Sequence, residues 1–183
     1  MRADDPELTA RVEGTAARQP LRVVLDSRLS LPRTARVLRS DGRCLIATTD
    51  AASASQRRAL EAAGARVVSF PAGPDGRVPL PDVLALLGAE ECISVLVEGG
   101  AQVHGTVFDQ GLADKVVAFL APRIVGGEAA PAAVGGLGVA RLAAAERLAG
   151  VTVEWVGDDL MVTGYAVRQA SGATPVATGP DGE

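Results

Sequence analysis

The sequence predicts an α/β domain with a mixed sheet, in which parallel strands are followed by an antiparallel hairpin. Two patterns indicate this fold class. From residue 21 to residue 122, short β-branched and apolar runs alternate with segments of helical composition. From residue 146 to residue 168, polar and apolar residues alternate, and the turn Gly157-Asp158-Asp159 divides this stretch into two strands.

Five strands are predicted ahead of the hairpin, each from a short run rich in Val, Ile, Leu or Thr. The run CISVLVE is apolar almost throughout, which is typical of a strand buried on both faces in a parallel sheet. The five predicted strands are residues 21–26, 43–49, 65–70, 92–98 and 114–122.

Three helices are predicted between these strands. The first covers residues 53–64, with Ser53 as its N-cap and Gly64 at its end. The second covers residues 81–90 and has a proline in its first turn. The third covers residues 101–111 and ends at a glycine.

Composition excludes several classes of function. A formal net charge of −4 on 183 residues does not provide the basic surface that nucleic acids require. No apolar run approaches the roughly 20 residues of a membrane span, and the charged N-terminus lacks the apolar core of a signal peptide. We expect a cytoplasmic protein with one domain over residues 1–167, which binds neither nucleic acid nor membranes. Residues 168–183 lack periodicity and are predicted to be a disordered tail.

The two cysteines, Cys44 and Cys92, each lie in an apolar run, with no CxxC pair and no metal-ligand spacing to a histidine. We interpret them as buried thiols in a reducing compartment, in preference to a disulfide or a metal site. Because only 3% of the residues are aromatic, the core is predicted to consist of Val, Leu, Ala and Ile.

The stretch VLVEGGAQVHG, residues 95–105, is the strongest candidate for a binding site. A strand that continues into a helix through Gly99 and Gly100 brings free backbone N–H groups together, where an anion is favoured. The spacing matches neither the Walker A motif nor GxGxxG, so spacing alone leaves open a tight turn without a ligand. Glu98 favours a ligand, because open α/β sheets bind at the carboxyl ends of their strands. Its oxygens would accept hydrogen bonds from an aminopyrimidine.

Four stretches together resemble the reductase domain of the bifunctional deaminase/reductase of riboflavin biosynthesis. They are ADDPELTAR (3–11), VVLDSRLSLP (23–32), VLVEGGAQVHG (95–105) and FLAPRIVGG (119–127). The resemblance covers residues 3–167 and implies a three-layer, dihydrofolate-reductase-like mixed sheet with helices on both faces. It also implies NADPH-dependent reduction of 5-amino-6-(5-phosphoribosylamino)uracil, a phosphorylated pyrimidine, to its ribitylamino form by hydride transfer to C1 of the sugar.

The resemblance implies a set of site residues as well. The substrate-binding residues would be Leu8, Arg11 and Glu98, and a guanidinium at position 11 suits the substrate phosphate. The alternative for this motif is a turn followed by a solvated arginine. The residues that would bind the cofactor are Asp4, Ser27, Gly100, Ala101, Gln102, Val103, His104, Gly105 and Thr106.

Two further residues have open interpretations. Arg28 is a candidate for the 2′-phosphate of NADPH, with an exposed arginine after a strand as the alternative. His104, the only histidine, suggests a general acid, but in the second turn of a helix a packing or capping role is favoured. No Ser-His-Asp arrangement is visible. We assign no catalytic residue and no metal site, because the cofactor carries the hydride chemistry and the protein positions the reactants.

The chain departs from the family pattern at its start. Family members have a strand, a helix and a second strand ahead of ADDPELTAR, whereas Met1 stands two residues before Ala3. The zinc signatures HxE and PCxxC of the deaminase domain are not present. We therefore expect an N-terminally incomplete domain, from a misplaced start or a true fragment. Its activity would be impaired, because backbone groups of the central sheet lack partners.

Two other functions remain open. One is a different dihydrofolate-reductase-like reductase, acting on another pteridine-like or pyrimidine substrate. The other is a catalytically silent remnant that retains nucleotide binding or serves as a dimerisation module. A homodimer is expected, with residues 151–167 as the candidate interface.

Overall fold

The computed structural model describes residues 5–11, 17–39 and 43–167. The predicted Asp4 site and the predicted tail at 168–183 lie outside these ranges. The chain divides into two compact units, one up to Gly99 and one from Gly100 onward. The mixed α/β class is confirmed, because the first unit holds a parallel sheet and the second an antiparallel one.

The first unit is built on a parallel sheet with the strand order β1-β2-β3. Val24 lies opposite Ile46, which in turn lies opposite Val67. All six residues of the middle strand are buried, as expected for a strand that is covered on both faces. The strands are β1 (Arg22–Leu25), β2 (Cys44–Thr49) and β3 (Arg66–Phe70).

Helices cover both faces of this sheet and produce three layers. Leu60 packs with Ile46 on one face, and Val83 packs with Leu45 on the other. These two residues of β2 are adjacent, so their side chains point to opposite faces. Each fully buried aliphatic side chain contributes about 1.5–3 kcal/mol. The helices are α1 (Ala54–Ala62) and α2 (Leu80–Ala89).

The predicted helix ends are confirmed in α1. The Ser53 hydroxyl oxygen accepts the backbone N–H of Gln56 at 3.2 Å, which satisfies one of the unpaired donors of the first turn. The chain leaves the helix through Gly64 at φ +94°, a left-handed conformation that glycine adopts without strain. In α2, Pro81 lies in the first turn, where its missing N–H costs no hydrogen bond.

The prediction of a strand over residues 92–98 is wrong. These residues belong to neither sheet, and the side chains of Ile93 and Leu96 are 100% and 79% exposed. A strand requires a neighbour that accepts and donates its backbone hydrogen bonds. None of the described strands pairs with this run. Its residues are mostly apolar, yet most of them are exposed.

The second unit combines one helix with an antiparallel sheet in the order β4-β6-β5. The predicted hairpin is confirmed, since Val156 pairs with Asp159 across a two-residue loop. Gly157 begins this loop at φ +62°, a conformation that short hairpin loops require. The elements are α3 (Ala101–Asp109), β4 (Lys115–Leu120), β5 (Leu148–Val156) and β6 (Asp159–Ala166).

Both cysteines are free thiols, with Cys44 buried and Cys92 half-buried. Burial raises the pKa of the Cys44 thiol, and the charge of Arg22, opposite it on β1, acts in the other direction. The surrounding core is aliphatic, with Phe70 as its one buried aromatic residue among those described.

The helices are short, and α2 is the longest with ten residues. Across the three described ranges, no helix has both the length and the apolar character needed to cross a membrane. In the same ranges, no three side chains of His, Cys, Asp or Glu are grouped so that they could hold a metal ion.

Candidate functional site

A tight turn follows β1 at the carboxyl end of the parallel sheet. The Asp26 carboxylate accepts the backbone N–H of Leu31 at 2.7 Å and the hydroxyl of Ser30 at 3.1 Å. Such bonds from an aspartate to the residues after it fix a turn locally. Leu29 is held at φ +53° within this turn although it is buried, a conformation that costs a non-glycine residue roughly 1–3 kcal/mol.

This turn holds Ser27 at the sheet edge where open α/β sheets bind their ligands. The Ser27 carbonyl oxygen accepts the hydroxyl of Thr49, the last residue of β2, at 2.8 Å. The Ser27 hydroxyl oxygen accepts the N–H of Val78 at 3.2 Å. Since an oxygen that accepts here can still donate its hydrogen, Ser27 can donate to a phosphate or ribose oxygen.

Arg36 holds the segment that precedes this sheet. Its guanidinium donates to the Glu7 carboxylate from Nε at 3.0 Å and from Nη2 at 2.5 Å. Its backbone N–H donates to the Asp5 carboxylate at 2.9 Å. The hydrogen bond and charge of Arg36 lower the pKa of Glu7, and Arg11 contributes less in the same direction.

The two predicted substrate residues in this segment have different surroundings. Leu8 packs against the core cluster that contains Val24 and Leu29, and its φ is +52°. Positive φ at a leucine is strained and persists only where its surroundings impose it. The Arg11 side chain is 75% exposed and donates to Glu7 at 3.0 Å. A guanidinium has five N–H donors, so this one bond leaves donors for an anion.

Glu98 lies in surroundings that differ from the prediction. We expected it at the carboxyl end of a buried strand, whereas it is exposed at the end of the run that joins neither sheet. No sheet therefore holds Glu98 in place, and its position is set by its neighbours in the chain. It directly precedes Gly99, Gly100 and the first turn of α3.

The start of α3 has the features of an anion site. Gly100 is its N-cap at φ +48° and ψ 146°, a conformation that glycine adopts readily. As a glycine, this N-cap residue has no side chain that could cap the helix. A Cβ atom added at Gly99 or Gly100 would meet nothing within 4 Å. The first N–H groups of the helix and the positive end of its dipole are features that favour an anion, and the two glycines before them are not packed against a neighbour at their Cβ positions.

The later residues of the Gly100–Thr106 segment make bonds within the protein. Thr106 donates its hydroxyl to the carbonyl of Gln102 at 3.1 Å. His104 donates from Nδ1 to the carbonyl of Ala133 at 3.0 Å, because a carbonyl oxygen only accepts. Gly105 is buried, and a Cβ there would overlap the backbone of Gly135. Direct cofactor contacts by these residues stay predictions.

The predicted residues divide between the two units. Leu8, Arg11, Ser27 and Glu98 belong to the first unit, and the segment 100–106 belongs to the second. Within the first unit, the turn after β1 and the segment 5–11 are each held by side chains that the sequence did not indicate as site residues.

Sequence reasoning missed these supporting residues. An aspartate followed by Ser-Arg after a strand is a typical turn signal and could have indicated Asp26. Nothing comparable indicates Arg36, which is 29 residues from Glu7. The side chain of Gln19 was also missed, and it both accepts from and donates to the backbone of Ala10 at 3.0 Å.

Comparison with known proteins shows which family the chain is similar to. The family model of the RibD C-terminal domain matches residues 1–162. The riboflavin biosynthesis protein RibD of Bacillus amyloliquefaciens is 34% identical over 165 residues, which are 89% of this chain and 43% of that protein.

Solved structures show the same fold. Acinetobacter baumannii RibD matches with a TM-score of 0.75 and 24% identity, over 91% of this chain and 44% of that one. A diaminohydroxyphosphoribosylaminopyrimidine deaminase/5-amino-6-(5-phosphoribosylamino)uracil reductase from Thermotoga maritima matches with a TM-score of 0.60 and 23% identity, over 90% and 42%. The dihydrofolate-reductase-like fold is thereby confirmed. The chain spans less than half the length of these relatives.

Proposed function

Because the chain belongs to the RibD C-terminal domain family, we propose that it reduces 5-amino-6-(5-phosphoribosylamino)uracil to the ribitylamino form with NADPH. The observation that carries the proposal is the start of α3, which is uncapped at Gly100 and directly preceded by Glu98. In the chain, an exposed carboxylate is followed within two residues by a backbone that favours an anion, an order that would suit a pyrimidine rich in donors and a dinucleotide. Residues 1–167 would form this reductase domain.

The residues on the cofactor side fit a dinucleotide. The first N–H groups of α3 would bind pyrophosphate oxygens, and the Ser27 hydroxyl would donate to the cofactor. NADPH, when bound, would supply a hydride for C1 of the sugar, and the ring oxygen that C1 releases would have to take up a proton. Arg28, exposed beside Ser27, would bind the 2′-phosphate and favour NADPH over NADH.

On the substrate side, each residue has a separate task. The exposed guanidinium of Arg11 would bind the substrate phosphate through two parallel hydrogen bonds. Glu98 would accept hydrogen bonds from the amino and ring N–H groups of the pyrimidine. Leu8, held at positive φ against the core, would provide an apolar contact that orients the sugar.

The decisive experiment is a calorimetric titration of the full chain with NADPH, followed by a turnover assay with the deaminated aminopyrimidine. Glu98→Gln should raise KM for the pyrimidine by about tenfold or more, since a hydrogen bond to a charged group contributes roughly 1.5–3 kcal/mol. The Kd for NADPH should stay within about twofold, because the helix start is unchanged.

The matched control is Glu91→Gln, an exposed carboxylate seven residues earlier in the same segment, which should leave both constants unchanged. A folded wild-type chain that does not bind NADPH at millimolar concentration would overturn the proposal and favour a silent remnant. NADPH binding without turnover of this pyrimidine would favour a related reductase with another substrate.

We also propose a homodimer that forms through one face of the β4-β6-β5 sheet. The strand register and the alternation of side chains place on one face Val116, Ala118, Leu120, Val153, Trp155, Leu160 and Val162. We call this set the apolar face. Trp155 is 70% exposed and Val153 58% exposed, and contiguous exposed apolar surface of this kind usually marks a protein contact.

Sedimentation of two variants tests the dimer. Val153→Lys places a charge in the apolar face and should yield a monomer, because burying an unpaired ammonium is strongly unfavourable. Glu154→Lys changes the adjacent residue on the opposite face and should leave the dimer intact. A wild-type chain that sediments as a monomer would contradict the proposal.

A cytoplasmic location is proposed as well, supported by the two free thiols.

A further inference from the structure

The segment from residue 133 to residue 138 lies along one side of α3. At the first turn of the helix, the N–H of Gly135 donates to the carbonyl of Ala101 at 2.8 Å. In the second turn, the His104 ring donates to the carbonyl of Ala133 at 3.0 Å. The segment is therefore attached to the end of the helix that begins at Gly100.

A carboxylate attaches the segment to the other end of the helix. Asp109 Oδ2 accepts the N–H of Leu137 at 2.7 Å, and Oδ1 accepts the N–H of Gly138 at 3.1 Å. Hydrogen bonds to an ionised acceptor are roughly twice as strong as neutral ones. Asp109 thus attaches the segment to the helix through two charge-assisted hydrogen bonds.

The middle of the attachment depends on glycine. A Cβ at Gly105 would overlap Gly135, and a Cβ at Gly136 would lie 2.8 Å from the Cα of Gly105. The backbones of helix and segment are therefore in direct contact. Ala101, Gly105 and Asp109 are spaced by four residues and share one face of the helix, so the contact extends along the whole of α3.

We infer that Asp109 is a positioning residue for the cofactor: it holds the 133–138 segment beside the first turn of α3, where the segment forms one wall of the phosphate site. This inference rests on the proposed function. Asp109 lies about 12 Å along the helix axis from Ala101, so it acts through the segment and not by contact. Without it, the amides of Leu137 and Gly138 lose their acceptor, and the Gly135–Ala101 bond at the first turn of the helix loses its support.

The test compares Asp109→Ala and Asp109→Asn with Glu128→Gln, an exposed carboxylate in the same loop, in the full chain. Asp109→Ala should weaken NADPH binding by about tenfold in calorimetry, within the range typical of coupling through packed networks. Asp109→Asn keeps one carbonyl acceptor and should weaken it less. Amide exchange at Leu137, Gly138 and Gly135 should accelerate in the same order, whereas KM for the pyrimidine should change less than about twofold.

The outcomes separate this inference from the proposed function. If the wild type binds NADPH and Asp109→Ala binds it with equal affinity despite faster amide exchange, only the inference is overturned. Asp109 would then have a purely structural role. A rise in KM for the pyrimidine as large as the loss of NADPH affinity in Asp109→Ala would also overturn it. So would a loss of NADPH affinity in Glu128→Gln. A wild-type chain that does not bind NADPH would overturn both. If Asp109→Ala does not fold, the Asn variant decides by the same measurements.

Discussion

Arg36 and Glu7 are 29 residues apart in the sequence, and their side chains meet with Nη2 2.5 Å from Oε1. This ion pair attaches the segment 5–11, which carries two predicted substrate residues, to the part of the first unit that contains Arg36. The same arginine also binds Asp5 through its backbone N–H. The position of the predicted phosphate-binding Arg11 therefore depends on a residue outside its own motif.

Arg36→Ala should raise the pKa of Glu7 toward 4.5, its ordinary value. The folded-state pKa of Glu7 lies below its unfolded value, so the pair stabilises the fold above about pH 4.5, and this stabilisation is lost as pH falls through the folded pKa. An NMR titration of the Glu7 carboxyl carbon measures the shift. Arg11→Ala is the control and should raise this pKa less. An unchanged Glu7 titration in Arg36→Ala would refute the assignment.

Gly105→Ala and Gly88→Ala should have opposite effects on stability. Alanine is favoured over glycine within a helix by about 1 kcal/mol, and a Cβ at Gly88 would meet nothing within 4 Å. Gly88→Ala should therefore stabilise the protein by roughly 0.5–1 kcal/mol. At Gly105 the Cβ overlaps Gly135, and overpacking of about 1–3 kcal/mol outweighs the helix gain. Urea unfolding measures both, and equal stabilisation would disprove the close contact.

Asp26→Ala should destabilise the protein by about 1–3 kcal/mol, because the backbone N–H of Leu31 loses a charged acceptor. Asp50→Ala is the comparison, since that exposed aspartate follows the next strand and should change stability by less than about 0.5 kcal/mol. Thermal or urea unfolding provides both values. Similar effects of the two substitutions would mean that the turn after β1 does not depend on Asp26.

The two thiols should react with N-ethylmaleimide at very different rates. Cys44 is 2% exposed and its pKa is raised by burial, so it presents little thiolate to the reagent. Cys92 is half-buried and should be modified first in the native protein. Peptide mass spectrometry distinguishes the sites, and addition of urea should make both reactive. Early modification of Cys44 would show that β2 is more accessible than the structure indicates.

The sequence was sufficient for most of the secondary structure, because the signals were local. Ser53, Gly64 and Pro81 marked helix ends through their own backbone preferences, and Gly157 marked the hairpin. The run 92–98 failed because composition reports a tendency to be buried in a sheet, whereas strand formation depends on a partner elsewhere in space.

The candidate site was predictable only in part. The glycines before α3 indicated an anion site because their effect on the backbone is local. The bonds of Arg36 to Glu7 and of Asp109 to Leu137 join residues 29 and 28 positions apart, and a single sequence contains no sign of such contacts. Gly105 was assigned to the cofactor, and its packing against Gly135 became visible only with the helix and loop in place.

The apolar face contains the only tryptophan of the chain, Trp155. Because its indole is 70% exposed, its fluorescence should be centred at the long wavelengths typical of water and should be readily quenched by iodide. Covering the apolar face would shift the emission to shorter wavelengths and protect it from the quencher. The protein therefore carries its own optical reporter of whether that face is open or occupied, and no label has to be introduced.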